Sequence, residues 1–192
     1  MPRAGVTHER VVAEAAALAD EVGLERLTLA AIAQRFGVTL PSLYKHVAGL
    51  DALKRDLAVL GVHELTAALS TAAVGRARSD ALHVIADAYR DYARAHPGRA
   101  VAAVRAPDPD DAEHIAAGEA AVAVLLAVLD GYGITGEDAV DAIRSLRAVM
   151  HGFVTLEAAG GFGLPRSVDA TYARLIGALD AAFATWSPKK GA

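Results

Sequence analysis

The segment from Thr28 to Leu53 reads TLAAIAQRFGVTLPSLYKHVAGLDAL and decides the fold of the N-terminal part of the chain. Two short helices are predicted on either side of Gly37, because Thr28 can cap the first and Pro41 is tolerated in the first turn of the second. Apolar residues at helical spacing give the two helices a common interior. These residues are Ile32, Ala33, Phe36, Val38, Leu43 and Val47.

The second helix of this pair, predicted from Thr39 to about Val47, carries outward side chains suited to DNA. Two short helices joined at a glycine are typical of a helix-turn-helix, whose second helix enters the major groove. A plain helical hairpin, with Tyr44 in a half-buried packing position, fits the same spacing. The outward residues are Thr39, Leu40, Pro41, Ser42, Tyr44, Lys45 and His46, which offer hydrogen-bonding groups, one cation and apolar contacts for a thymine methyl.

The composition predicts an all-helical protein. Hydrophobic residues make up 54% of the 192-residue chain and aromatic residues only 5%. Alanine is abundant, and strict apolar-polar alternation is nearly absent, which favours helices over strands. The chain contains no cysteine, so a disulfide scaffold is excluded. We found no leader-like segment and no apolar run of about 18 residues, so we expect a soluble cytoplasmic protein with no membrane partner.

The remaining helix boundaries follow from caps and breakers. Thr7 can cap a first helix that ends at Gly23, and a long fourth helix is expected to open near Asp51. Asp108 and Pro109 are predicted to start a later helix, as cap and first residue. We therefore expect a helix-turn-helix domain over residues 1–50, with residues 51–73 as connector. Residues 74–192 are expected to form a helical ligand-binding and dimerisation domain.

The charge balance gives DNA binding no general support. Residues 1–60 hold seven Lys and Arg against seven Asp and Glu, which leaves 12 against 16, or −4, for residues 61–192. DNA affinity should therefore depend on where the charges lie, with about 3–5 phosphate contacts per protomer and a shallow salt dependence. The cations expected to matter are Arg3, Arg10, Arg35 and Lys45, set against an acidic group of Asp20, Glu21 and Glu25.

Residues 5–60 resemble the DNA-binding domain of the TetR family of bacterial transcriptional regulators. The resemblance is carried by Leu27-Thr28, Ile32-Ala33, Gly37-Val38, Leu43-Tyr44, His46 and Leu53. It implies an all-α homodimer with a ligand-receiving C-terminal domain. By position, the residues that lie where the family contacts DNA are Thr28, Thr39, Pro41, Ser42, Tyr44, Lys45 and His46. Leu50 departs from the pattern, since the family often has a lysine at the start of the fourth helix. Arg3, in an N-terminal arm, is expected to reach an adjacent minor groove.

The C-terminal half carries two long apolar helices. The resemblance implies that they pair with those of a second subunit, although ordinary core packing fits the same stripes. The expected dimer residues are Val168, Tyr172, Leu175, Leu179 and Phe183. Residues 147–157, RAVMHGFVTLE, resemble a TetR subgroup with a His-Gly pair in this helix. Gly152 fits either a close helix approach or room for a ligand, and His151 fits either a pocket lining or a satisfied structural role. The candidate pocket residues, each with an equally good packing role, are Tyr89, Tyr92, Arg105, His114, Met150, His151, Phe153, Glu157 and Phe162.

Catalytic and metal-binding functions find no support in the sequence. The seven histidines form no pair at ligand spacing, and there is no nucleophile elbow, phosphate loop or dinucleotide fingerprint. We therefore expect no enzyme, no cofactor and no metal. The predicted function is a homodimeric repressor that binds a palindromic operator and is released by a small, largely apolar effector. A DNA-binding protein without an effector, or a helical enzyme or partner-binding module with the same fold, remains open.

Overall fold

The computed structural model of the chain describes residues 6–186 and confirms the all-α prediction over that range. Every regular element among these residues is helical. The helices are α1 (His8–Val22), α2 (Leu29–Phe36), α3 (Leu40–Leu43), α4 (Leu50–Ala73), α5 (Arg78–Ala95), α6 (Pro97–Ala102), α7 (Ala112–Asp130), α8 (Gly136–Ala158) and α9 (Val168–Ala184), with a single 3₁₀ turn at Leu24–Arg26.

The helices divide into two compact units whose boundaries differ from the predicted ones. Unit 1 contains the chain up to Glu64 together with residues 95–117, and unit 2 contains residues 65–94 together with the chain from Gly118 onward. Unit 1 is therefore larger than the 1–50 segment expected for the reading domain, because α6 and the start of α7 belong to it. The helices α4 and α7 each contribute residues to both units.

Unit 1 is built on the local signals read from the sequence. The Thr7 hydroxyl accepts from the Arg10 amide at 3.3 Å, which confirms the cap of α1, and Gly23 ends that helix with a φ of +88°. The buried face of α1 packs with the buried faces of α2, α3 and α4 in one apolar cluster. Its members include Val11, Ala15, Leu18, Ala19, Leu27, Ile32, Leu43, Val47, Leu53 and Leu57.

Helix α6 lies closer to α1 than any side chain would permit. A Cβ atom built on Gly98 would come within 2.2 Å of the Ala19 carbonyl carbon and oxygen. Arg99, the next residue, anchors the contact, because its backbone N–H and its Nε each donate to the Asp20 carboxylate, at 3.0 and 2.8 Å. Its Nη1 also reaches Glu64 of α4 at 2.8 Å. The α6 helix is thus fixed to both α1 and α4 within unit 1.

Unit 2 has its own apolar cluster, formed by one face each of α5, α8 and α9 with parts of α4 and α7. Tyr172 lies at its centre with 1% of its surface exposed, and its hydroxyl donates to the Ala86 carbonyl oxygen at 2.6 Å. Phe183 is equally buried and meets Tyr132 edge-on, with ring centroids 5.9 Å apart. The aromatic residues of α9 therefore pack inside the protomer.

Two helix boundaries differ from the prediction. The α3 helix ends at Leu43 rather than near Val47, and a turn over residues 44–46 precedes Gly49, whose φ of +157° redirects the chain into α4. The start of α7 at Asp108-Pro109 was also wrong. Asp111 caps this helix instead, accepting from the His114 N–H at 3.0 Å, because residues 108–111 close a turn first.

Helix α7 is the most apolar of the described helices. By length and composition it could cross a membrane, a criterion that core helices of soluble proteins also meet, and 28% of its apolar window is buried. Its exposed face consists largely of alanine, with Val122 and Leu126 as the larger apolar side chains.

Candidate nucleic-acid interface

The α2–α3 pair forms a helix-turn-helix with a closed apolar interior. The Thr28 hydroxyl accepts from the Ala31 N–H at 3.2 Å, which confirms the cap of α2. Gly37 ends α2 in the left-handed region, with a φ of +65°, so the chain can turn directly into α3. Ile32 and Leu43 are completely buried between the two helices. This packing fixes which side of α3 faces outward.

The outward side of α3 and of the turn after it carries the residues predicted to contact DNA. Tyr44 is 53% exposed and Leu40 is 36% exposed. Ser42 is half-buried, with its hydroxyl 3.2 Å from that of Thr39. The structure brings together one set of candidate residues, exposed or half-buried, on one surface, which we call the reading face: Thr39, Leu40, Pro41, Ser42, Tyr44, Lys45 and His46.

Two of the residues predicted to contact DNA stand apart from this set. Thr28 is exposed at the start of α2, but its hydroxyl oxygen is engaged in the helix cap. That hydroxyl still has a proton to donate, so a phosphate contact is compatible with the cap. Arg3 lies outside the described residues.

The cations of unit 1 are less available than the sequence suggested. Arg35 pairs with Glu14 at 2.9 Å and with Glu21, and these hydrogen bonds raise the pKa of its guanidinium. The guanidinium of Arg10 lies 5.5 Å from the centre of the Phe36 ring. Glu21, one member of the acidic group, and Glu14 therefore neutralise Arg35, one of the cations expected to matter for DNA binding. Lys45 is the exposed cation of the reading face.

The predicted pocket residues fall into separate environments. Arg105 and His114 belong to unit 1, where Arg105 is exposed beside Asp108 and His114 is buried. The other candidates belong to unit 2. A groove of about 260 Å³ in unit 2 is lined by none of the predicted residues; its lining is Ser70, Ala73, Val74, Arg76, Val124, Ala127 and Val128.

Within unit 2, Tyr89 and His151 form a polar pair beside an aromatic stack. The Tyr89 hydroxyl lies 3.2 Å from His151 Nδ1. Burial lowers the pKa of the His151 imidazole, and Arg147 lowers it further, so the neutral ring is favoured. Phe153 stacks against Phe162 with centroids 4.8 Å apart, and Met150 is fully buried in the same cluster. Tyr92 is also buried in unit 2.

Glu157, another predicted pocket residue, is held in an ion-pair cluster. Arg90 donates to both of its carboxylate oxygens, at 2.9 and 2.5 Å, and Arg94 adds a further bond at 2.8 Å. The Arg90 hydrogen bonds lower the pKa of the Glu157 carboxyl to about 2. The Arg90 guanidinium also lies 4.7 Å from the Tyr172 ring centre. Arg90 was missed at the sequence level, because no local pattern links it to a carboxylate 67 positions away.

Two of the five residues predicted for the dimer contact face inward. Tyr172 and Phe183 are 1% exposed within a single protomer, so both predictions were wrong. An apolar stripe does not reveal whether it packs on its own core or on a partner. Val168, Leu175 and Leu179 are partly buried against the unit 2 cluster. The exposed side of α9 is instead lined by small residues, including Ala170, Ala173, Ala178 and Ala181.

Comparison with known proteins agrees with this architecture. Residues 82–179 match the family model described as the tetracyclin repressor-like C-terminal domain. An uncharacterized HTH-type transcriptional regulator of Mycobacterium tuberculosis is 40% identical over 158 residues, or 82% of this chain and 72% of that protein. The HTH-type regulator YobS of Bacillus subtilis is 33% identical over 84% of each chain.

A solved structure shows the same fold. The minocycline complex of a TetR variant from Acinetobacter baumannii superposes with a TM-score of 0.70 at 24% identity, covering 93% of this chain and 97% of that one. One family accounts for the matching model, the two regulators and the helix-turn-helix. Its members are transcriptional regulators, which are not enzymes. The chain belongs to the TetR family of DNA-binding transcriptional regulators.

Proposed function

We propose that the protein is a cytoplasmic, homodimeric repressor that binds a palindromic operator through the reading face and is released by a small, largely apolar effector. The observation that carries the proposal is the division of the α3 segment into two sides. Leu43 and Val47 are buried, while Tyr44 and Lys45 between them are exposed. The segment formed by α3 and the turn after it would present its exposed side to the major groove, as the second helix of helix-turn-helix proteins does.

The operator experiment uses the DNA flanking the protein's own gene. We expect the Tyr44→Ala, Lys45→Ala double variant to lose at least tenfold in affinity by fluorescence anisotropy. A base-edge contact contributes about 1–3 kcal/mol, and loss of a phosphate contact weakens binding further. Arg166→Ala is the matched control, since it removes one exposed cation from unit 2. Parental affinity in the double variant refutes the assignment of the reading face.

Dimer formation is supported by the outer faces of α8 and α9. Residues on α8 are exposed at steps of three or four, among them the apolar Val140 and Leu156, at 45% and 53% exposure. A Cβ atom on Gly152 of α8 or Gly177 of α9 would meet nothing within 4 Å in the protomer. Glycine lowers helix stability by about 1 kcal/mol relative to alanine. A close approach by a second subunit would explain why glycine occupies these two positions.

The dimer is tested with two exposed leucines. Leu156→Glu places a charge on the proposed dimer face, whereas Leu164→Glu places the same charge on a loop residue that is 85% exposed. We expect sedimentation to show a monomer for the first variant and a dimer for the second. A symmetric dimer would also match the two half-sites of a palindrome, about 34–36 Å apart. A parent protein that sediments as a monomer overturns this part of the proposal.

We propose that the effector binds in unit 2, among Tyr89, Met150, His151, Phe153 and Phe162. Apolar and aromatic side chains dominate this cluster, and the Tyr89–His151 pair offers the few polar atoms that orient a ligand. Phe153 already contacts Phe162 and Tyr172, each at 4.8 Å between ring centres, so an effector must displace them. Binding would then select a rearranged state, which is how a ligand shifts a population.

The effector proposal is tested by a thermal-shift screen of apolar and ring-containing compounds. A hit that raises the melting temperature should weaken operator binding by about 5–150-fold, the usual range of coupling energies. His151→Leu tests its location, and we expect that variant to lose the thermal shift. If a saturating hit leaves operator affinity unchanged, the protein binds DNA without this switch. The similarly folded Acinetobacter regulator holds minocycline, which supports the search for an effector.

A further inference from the structure

His8, the first residue of α1, connects the reading face to α4. Its Nδ1 lies 2.9 Å from the carbonyl oxygen of His46, in the turn that follows α3. Its Nε2 lies 3.3 Å from Oδ2 of Asp56 on α4. One imidazole ring therefore bridges two segments that are distant in sequence, and one of them carries residues of the reading face.

The chemistry of the two partners determines which form of His8 fits. A backbone carbonyl oxygen and a carboxylate oxygen both accept hydrogen bonds and donate none. A neutral imidazole carries one N–H, so it can satisfy only one of these acceptors at a time. The imidazolium form carries an N–H on each nitrogen and satisfies both. Charge also strengthens both bonds, and Asp56 supplies the opposite charge.

The carboxylate that receives His8 is itself held in place. Nη1 of Arg55 lies 3.1 Å from the other Asp56 oxygen, Oδ1. Arg55 is fixed in turn by Asp111, the cap of α7, through two bonds at 2.7 and 2.5 Å, and these lower the pKa of the Asp111 carboxyl. The Asp56 side chain is 17% exposed and the His8 side chain 49%, so water reaches the pair from the His8 side.

We propose that His8, in its imidazolium form, is a positioning residue for operator binding, which it supports by holding the turn at residues 44–46 against α4. This inference rests on the proposed use of the reading face. The charged groups near the ring are Asp56 and Arg55 on α4 and Glu9 on α1, and the turn contributes the His46 carbonyl oxygen. A neutral His8 ring releases one of the two acceptors, so operator affinity is lower with the neutral ring than with the imidazolium.

The first test measures operator affinity between pH 6 and 8.5 at constant ionic strength. We expect the parent to bind about tenfold more weakly at the upper end, the factor of one charge-assisted hydrogen bond. His8→Gln should bind weakly and lack the His8-dependent part of the profile. His46→Gln keeps its backbone carbonyl and should retain the His8-dependent part of the profile. His63→Gln, an exposed histidine on α4, is the control and should match the parent. A parental pH profile in His8→Gln overturns the proposal.

The second test uses the free protein and does not depend on DNA. The Val47 amide donates to the Leu43 carbonyl within the turn that His8 holds, and its hydrogen exchange reports how firmly the turn is closed. Protection of this amide, corrected for intrinsic exchange, should fall between pH 6 and 8 in the parent and be low throughout in His8→Gln. Equal protection in both proteins overturns the role of His8. A parent that binds no DNA while this difference persists refutes the proposed function alone.

Discussion

Gly98 is the position at which a single methyl group should do the most damage. Its Cβ atom would lie 2.2 Å from the Ala19 carbonyl group, whereas real Cβ contacts essentially never fall below 3.0 Å. The atoms it meets are backbone, so α6 must retreat from α1 by at least the difference, 0.8 Å. That movement strains the bonds from Arg99 to Asp20, the shortest of which is 2.8 Å. We expect Gly98→Ala to destabilise the protein by about 3 kcal/mol, the upper part of the overpacking range.

The measurement is thermal or urea unfolding at a fixed protomer concentration. For a chain of this length, about 3 kcal/mol corresponds to a fall of roughly 6–12 °C in the melting temperature. Gly118→Ala on α7 is the matched control, because its Cβ would meet nothing within 4 Å. Helix propensity alone should make that variant about 0.5–1 kcal/mol more stable. If Gly98→Ala melts at or above the parent, the close approach of α6 to α1 is refuted.

Three further outcomes are expected. Glu157→Gln should cost about 3 kcal/mol at pH 7 by leaving the buried Arg90 underpaired. The Glu157 pKa is about 2, below its unfolded value. The stability that the ionised Glu157 contributes is therefore complete above about pH 4.5 and is lost as pH falls toward 2. Unfolding curves of Glu157→Gln, measured against pH, should lack this part of the acid sensitivity. Tyr172→Phe should lose about 1 kcal/mol with the bond to Ala86, by urea unfolding. Lys45→Ala should lower the salt slope of operator binding by about 1 per protomer, and an unchanged slope would exclude a phosphate contact.

The features that the sequence predicted well are those set by neighbouring residues. The Thr28 cap and the Gly37 turn depend on groups within a few positions, and both are confirmed. The burial of Leu43 and Val47 follows from the same short segment. The residues of the reading face were therefore predictable, because burial of Leu43 and Val47 leaves the other side of the segment exposed.

The features that it missed depend on pairing across long separations. Arg90 meets Glu157 across 67 positions, and Arg99 meets Asp20 across 79. Nothing in the local pattern specifies either partner. The apolar stripe of α9 was ambiguous for a related reason, since burial in one protomer and burial against a second subunit require the same residue types. Tyr172 shows that the first alternative applies to its inward side.

The return of the chain to unit 1 has a practical consequence for dissecting this regulator. Ala102 of α6 is 2% exposed and packs in the same apolar cluster as α1 and α2. A fragment cut after the fourth helix would therefore expose that cluster and lose the Arg99 anchor. Attempts to express unit 1 alone, or to join it to the C-terminal part of a relative, should include residues 95–117 or supply them as a separate peptide.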